Sequence, residues 1–214
     1  MKPRYIKLFL ALFLPFASFL LLAHFLFYYN NKYENNSVYP MGGVMFCSDA
    51  DLSGDSVIFL AHQWNFFPGK QYTPSDFNEK KVTGGTFLTL GSFGNFSLGN
   101  TSEASNGTAT YRLTLSLPNT ARTYSLYLPE IFSAYTLYLN EEKVCSQGNP
   151  DPAHYQDLIG NKEISFTASG TVHITIIVTN YSHIYSGITY PPAFGTVTAI
   201  QKYLSTRLFI SGIT

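Results

Sequence analysis

VHITIIVT, Val172 to Thr179, decides how this chain folds. Val172, Ile174, Ile176 and Val178 alternate with His173, Thr175, Ile177 and Thr179. Side chains of a strand point to opposite faces with a period of two, so the pattern predicts a strand with one buried face. The same alternation runs through Tyr111, Leu113, Leu115 and Leu117, through Tyr124, Leu126 and Leu128, and through Tyr135, Leu137 and Leu139. Weaker strands are expected at Val44–Cys47, Val57–Trp64, Thr86–Leu90, Lys143–Ser146, Ile164–Thr167 and Phe194–Ile200. Pro68-Gly69, Gly84-Gly85, Pro118-Asn119, Asn149-Pro150 and Pro191-Pro192 punctuate them. About ten short strands without a strong helical pattern predict an all-β fold, two sheets packed as a jelly-roll β-sandwich. Long loops are expected at Gly91–Asn106, Gly148–Asn161 and Tyr181–Pro192, the first of low complexity and mobile.

Ahead of this β pattern, Leu8 to Tyr29 is a run of 22 residues with no Asp, Glu, Lys or Arg. A helix needs about 20 apolar residues to cross a bilayer. Lys2, Arg4 and Lys7 precede the run and favour a cytoplasmic N-terminus, while Tyr28 and Tyr29 suit the far interface. The run exceeds the apolar core of a signal peptide, and bulky residues fill its end, so an uncleaved signal anchor is expected, with a cleaved signal as the alternative. The organisation read from the sequence is a cytoplasmic N-terminus at 1–7, a span at 8–29, a linker at 30–40, an extracytoplasmic sandwich at 41–200 and the start of a membrane-proximal helix at 201–214.

Net charge is zero, and no basic stripe exists to displace counterions, which argues against nucleic acid. Sixteen Tyr and eighteen Phe against one Trp fit a β-prone domain. Cys47 and Cys145 pair in an oxidising compartment or stay as two isolated thiols; without a histidine pair they make no zinc site. Sequons at Asn35, Asn95, Asn100, Asn106 and Asn180 matter only where the source glycosylates.

The order of motifs resembles a known family. GGVMFCSDADLSGDSVIFLAHQWNFFPGKQYTPSDF (Gly42–Phe77), GTATYRLTLSLP (Gly107–Pro118), YSLYLPEIFSAYTLYLN (Tyr124–Asn140), ITIIVTNYSHIYSGI (Ile174–Ile188) and FGT (Phe194–Thr196) follow one another as in the extracytoplasmic galactose-binding-like jelly roll of bacterial membrane sensors. Those are seven-transmembrane receptors with diverse intracellular signalling modules, often histidine kinases or nucleotide cyclases. A related β-sandwich is the sugar-binding domain of glycoside hydrolases. The resemblance covers about Gly42 to Ile200 and implies a sensory, ligand-binding module. It also implies a seven-helix block and an output module after Ile200, so the expectation is either a truncated product or fragment, or an output delivered by partners. Ala61-His62 before Trp64, Glu141 after Asn140, and a missing "proline, x, x, tryptophan" turn in Thr83–Phe96 depart from the pattern.

Candidate chemistry is sparse. Asp49, Asp51, Ser53, Gly54 and Asp55 mimic the first half of a calcium loop, but Leu60 occupies the position of its bidentate acid, so a solvated turn is expected. The family pattern places Trp64 on a core strand. Arg112 points out of its strand and is a candidate ligand anchor. Asn180, Tyr181, His183 and Gly187 mark the loop after the strongest strand, where sandwiches place binding residues. Asn140 fits a β-turn. Glu103, Glu130, Glu141 and Asp151 fall in loops or turns, and no nucleophile elbow, phosphate loop or paired acids emerge. The expectation is a non-enzymatic module with no cofactor and no metal. Its partners are the membrane and either a small ligand, carbohydrate included, or another protein; a homodimer is compatible with it.

Overall fold

The computed structural model describes residues 3–34, 38–90, 96 and 105–211, with the side chains of residues 3, 8 and 208–211 left aside. The chain divides into two compact units, residues 1–34 and 35–214. The first is the helix α1 (Pro3–Asn30), which contains the whole expected span. By length and composition α1 can cross a membrane, and a signal sequence meets the same test. Pro15 sits inside it, and the Ser18 hydroxyl donates to the Pro15 carbonyl at 2.9 Å. Past its end, the Lys32 ammonium lies 4.0 Å over the Tyr29 ring.

The second unit is a β-sandwich, as the alternation predicts. Its strands are β1 (Val44–Phe46), β2 (Val57–Phe59), β3 (Trp64–Pro68), β4 (Thr86–Leu88), β5 (Gly107–Ser116), β6 (Arg122–Leu128), β7 (Ala134–Leu139), β8 (Glu142–Gln147), β9 (Lys162–Ala168), β10 (Thr171–Asn180) and β11 (Ala193–Thr196). Two helices accompany them, α2 (Pro74–Asn78) and α3 (Val197–Ser211). The larger sheet runs β4-β3-β5-β10-β7-β8, with β1 alongside β5 in parallel; the smaller runs β2-β11-β6-β9.

The opening stretch is the centre of the larger sheet. In antiparallel register on β10, Ile174, Ile176 and Val178 lie between Leu113, Tyr111 and Ala109 of β5 and Leu139, Leu137 and Tyr135 of β7. All nine are buried and meet Leu126, Tyr124 and Phe194 of the smaller sheet. At about 25 cal/mol per Å² of apolar surface, this layer supplies the main stabilisation. Trp64 is fully buried in it, as expected, and its indole N–H donates to the Leu60 carbonyl at 2.7 Å. Asn140 turns β7 into β8 at φ +54°, which Asn tolerates, and its amide oxygen accepts the His173 N–H at 2.8 Å.

Three expectations are corrected. Val57–Trp64 is not one strand: the chain leaves β2 after Phe59, passes Gln63 at φ +57° and enters β3 in the other sheet. Phe194–Ile200 is a strand only to Thr196. The Thr196 hydroxyl accepts the Ala199 N–H at 3.2 Å, a side-chain cap, and α3 begins there. Ile200 and Tyr203 then fold onto Tyr127 and Ala193 of the smaller sheet. The expected helix of the tail therefore starts four residues early. Cys47 and Cys145 are free thiols. Cys47 continues β1, Cys145 lies on β8, and the four strand steps between them (β1-β5-β10-β7-β8) alone span roughly 19 Å, with a further offset along the strands. A disulfide needs Cα atoms within about 7 Å. Burial, with Asp51 beside it, pushes the Cys47 thiol up to about 12.

The Gly91–Asn106 loop lies outside the described residues except for Phe96, Ser105 and Asn106, as do the sequons at Asn35, Asn95 and Asn100.

Candidate functional site

The residues nominated from sequence do not form one site. Asn180, at the end of β10, is fully buried. Its amide nitrogen donates to the carbonyls of Ser105 and His183, at 2.7 and 2.6 Å. Its oxygen accepts the His183 N–H at 3.1 Å and the Tyr155 hydroxyl at 3.5 Å. The group is spent on bracing the loop. Gly187 sits at φ +79°, and a Cβ there would run into the Tyr111 hydroxyl, so only glycine fits. Tyr111 is buried against Phe66, and burial pushes its hydroxyl pKa up. His183 stacks on Phe132 at 5.0 Å, and its Nδ1 accepts the Tyr185 N–H at 3.2 Å. Tyr181 meets the Tyr155 ring edge-on at 5.4 Å.

Arg112 is elsewhere. It pairs with Thr175 in mid-sheet, while Asn180 pairs with Gly107, five residues or about 17 Å along β5. Its guanidinium lies 4.1 Å over the Phe77 ring, and Nη1 donates to the Thr175 hydroxyl at 3.3 Å. Half-burial lowers its pKa. Beside it, His173 is pulled below the ordinary imidazole value by burial and by Arg112. Arg112 therefore serves as a clamp between α2 and the sheet.

The calcium-like loop is a solvated turn. Asp51 accepts the Ser48 N–H at 2.9 Å and its hydroxyl at 2.5 Å, Asp49 pairs with Arg122 at 2.6 Å, and Asp55 pairs with Lys202. Among the described residues, no group of three metal-ligating side chains comes together.

A groove on the outer face of the larger sheet joins what the sequence kept apart. Two adjoining hollows of about 450 and 190 Å³ share Thr73 and Tyr138. One wall is the α2 turn, set by a capping box in which Thr73 donates its N–H and hydroxyl to Asp76 at 2.8 and 2.7 Å. Those bonds hold the Asp76 carboxyl below its ordinary pKa. The opposite wall is the β7–β8 turn, tied across by Asn78 Nδ2 donating to Glu141 Oε1 at 2.6 Å. The sheet floor presents Tyr138, Thr136 and Thr179 with Gln71 at the margin. An aromatic face among amides, hydroxyls and two carboxylates, Glu79 and Glu141, can stack on and hydrogen-bond a hydroxylated small molecule. Sequence reading missed this groove. Its traces were the alternation of Tyr135, Leu137 and Leu139, which turns Thr136 and Tyr138 outward, and Glu141, named as a departure from the family pattern.

No protein-family model matches the chain, and no curated protein matches it. Solved structures similar to parts of it include the Faecalibacterium prausnitzii beta-glucuronidase, at 14% identity and TM-score 0.49 over 64% of this chain and 31% of that one. An uncultured Clostridium beta-glucuronidase has 16% identity and TM-score 0.47 over 65% and 28% of the two chains. A GH2 beta-galacturonidase from Eisenbergiella tayi bound to galacturonate has 12% and 0.46 over 66% and 24%. The chain spans less than a third of each of these enzymes.

Proposed function

We propose that this chain is the membrane-tethered, extracytoplasmic ligand-binding module of a bacterial sensory receptor, with α1 as an uncleaved anchor and a cytoplasmic N-terminus. The groove of Tyr138, Thr73, Asn78 and Glu141 is its ligand site. One observation carries the reading: an apolar helix of spanning length leads into a separate β-sandwich whose outer sheet face holds this polar, aromatic-floored groove. The ligand is a small hydroxylated molecule, carbohydrate included. To signal, it must bind two states of the receptor with different affinity, because a ligand shifts an equilibrium only by that difference.

The test is thermal unfolding of the full chain in lipid nanodiscs against a panel of sugars and small metabolites, for the native protein and Tyr138→Ala. A compound that raises the Tm of the native protein and leaves the variant unmoved supports the reading. A panel with no shift, or shifts equal in both proteins, contradicts it.

A further inference from the structure

One end of the sandwich carries a loop without a charged residue. β10 stops there at Asn180 and β7 starts there at Ala134, since Thr179 pairs with Ala134. The loop 181–192, YSHIYSGITYPP, contains no Asp, Glu, Lys or Arg. It leaves Ile184 74% exposed, with Tyr181, Tyr185 and Tyr190 close to 40%. The neighbouring loop adds Leu158 at 55% and Ile159 at 47%, and Ser182 holds it in place by donating to Asp157 at 2.8 Å. Ring contacts among Phe132, His183 and Tyr185 fix the surface from beneath. Six exposed apolar or aromatic side chains on two loops that Ser182 and Asp157 tie together mark an interaction surface.

The course of α3 indicates what covers it. Ala199 lies beside Gly195, Tyr203 meets Phe59 and Tyr127 two residues up the sheet, and Arg207 comes near Tyr127. The helix therefore climbs the smaller sheet towards the apolar end, and its last residues read LFIS. Tyrosine with aliphatic side chains is the composition that settles at a bilayer interface. The charges nearby are mixed, Lys162 and Arg207 against Glu130 and Asp157.

We propose that the end formed by Leu158, Ile159, Tyr181, Ile184, Tyr185 and Tyr190 docks on the bilayer surface. The inference rests on the tethered reading of α1. Docking fixes the tilt of the sandwich and leaves the groove, on a sheet face, open to the solvent.

The test uses the full chain in phosphatidylcholine nanodiscs made with or without brominated acyl chains. Tryptophan emission is read from I184W and, as the control, from F46W. Phe46 is 65% exposed and pairs with Ser116, at the opposite end of β5. The native Trp64 is fully buried and is subtracted as background. I184W is expected to lose at least about half of its added emission in brominated lipid, with F46W unchanged. L158W, on the second loop, is expected to follow I184W and replaces it should that variant misfold. Equal quenching at both ends, or none at either, overturns the proposal. A blue shift of I184W that follows protein concentration and ignores bromine identifies a second copy as the occupant and also overturns it. Liposome flotation separates the two readings. A chain that does not float contradicts the tether and the docking together, whereas one that floats with I184W unquenched contradicts the docking alone.

Discussion

The two ends of the sandwich solve the same problem by different means. At the end where β5 stops, the loops carry Asp49, Asp51 and Asp55, answered by Arg122, Ser48 and Lys202 at the surface. At the other end no charged residue lies within loop 181–192, and a buried amide, stacked rings and one close-packed glycine hold the shape. Exposed ion pairs contribute about 0–1 kcal/mol because water and salt screen them. A buried amide with every partner satisfied costs far more to remove. The difference teaches that the charged end tolerates change and the apolar end does not.

The largest expected effect is at Asn180. Asn180→Ala orphans the Ser105 and His183 carbonyls and is expected to cost about 2–4 kcal/mol in denaturant unfolding. A loss under about 0.5 kcal/mol would mean that the loop is not braced through this amide. Next comes Gly187→Ala, expected to cost about 1–3 kcal/mol from its positive φ and the Tyr111 hydroxyl. Tyr111→Phe in that background should restore part of the loss; strict additivity of the two changes would deny the clash. Between the ends, His173 sets a pH slope. Its folded pKa lies below 6.5, so the unfolded chain takes up a proton first as pH falls. Stability should fall as pH drops below about 6.5 and level off once the folded imidazole is charged, and His173→Gln should remove that component. A slope unchanged in the variant assigns it to other groups. The smallest effect belongs to the charged end: Arg122→Ala should cost under about 1 kcal/mol, shrinking as salt is added. A larger, salt-independent loss would erase the contrast.

How much of this was legible depended on range. The alternation at Val172–Thr179 gave the central strand because strand periodicity is local and burial on one face leaves a repeating trace. The crossing at Leu60–Gln63 left no such trace, since Trp64 and Ile58 are both buried but face the core from different sheets. The start of α3 was hidden for a related reason: Val197 and Ile200 are favoured in strands, and the Thr196 cap with the packing of Ile200 and Tyr203 on the smaller sheet decides for helix. The loop after β10 was marked as a binding loop, whereas in the structure Asn180 braces it and Gly187 allows a close approach. The groove depends on Asn78 reaching Glu141, 63 residues on, which no sequence window contains.

The central claim is that a folded β-sandwich is held at a bilayer by an intact α1. The most direct measurement is intact-mass spectrometry of the mature chain, made after its cells' membranes are washed at alkaline pH. The account predicts a chain that stays in the membrane pellet with residues 8–29 present. A chain released by the wash, its mass showing cleavage near residue 30, would contradict it.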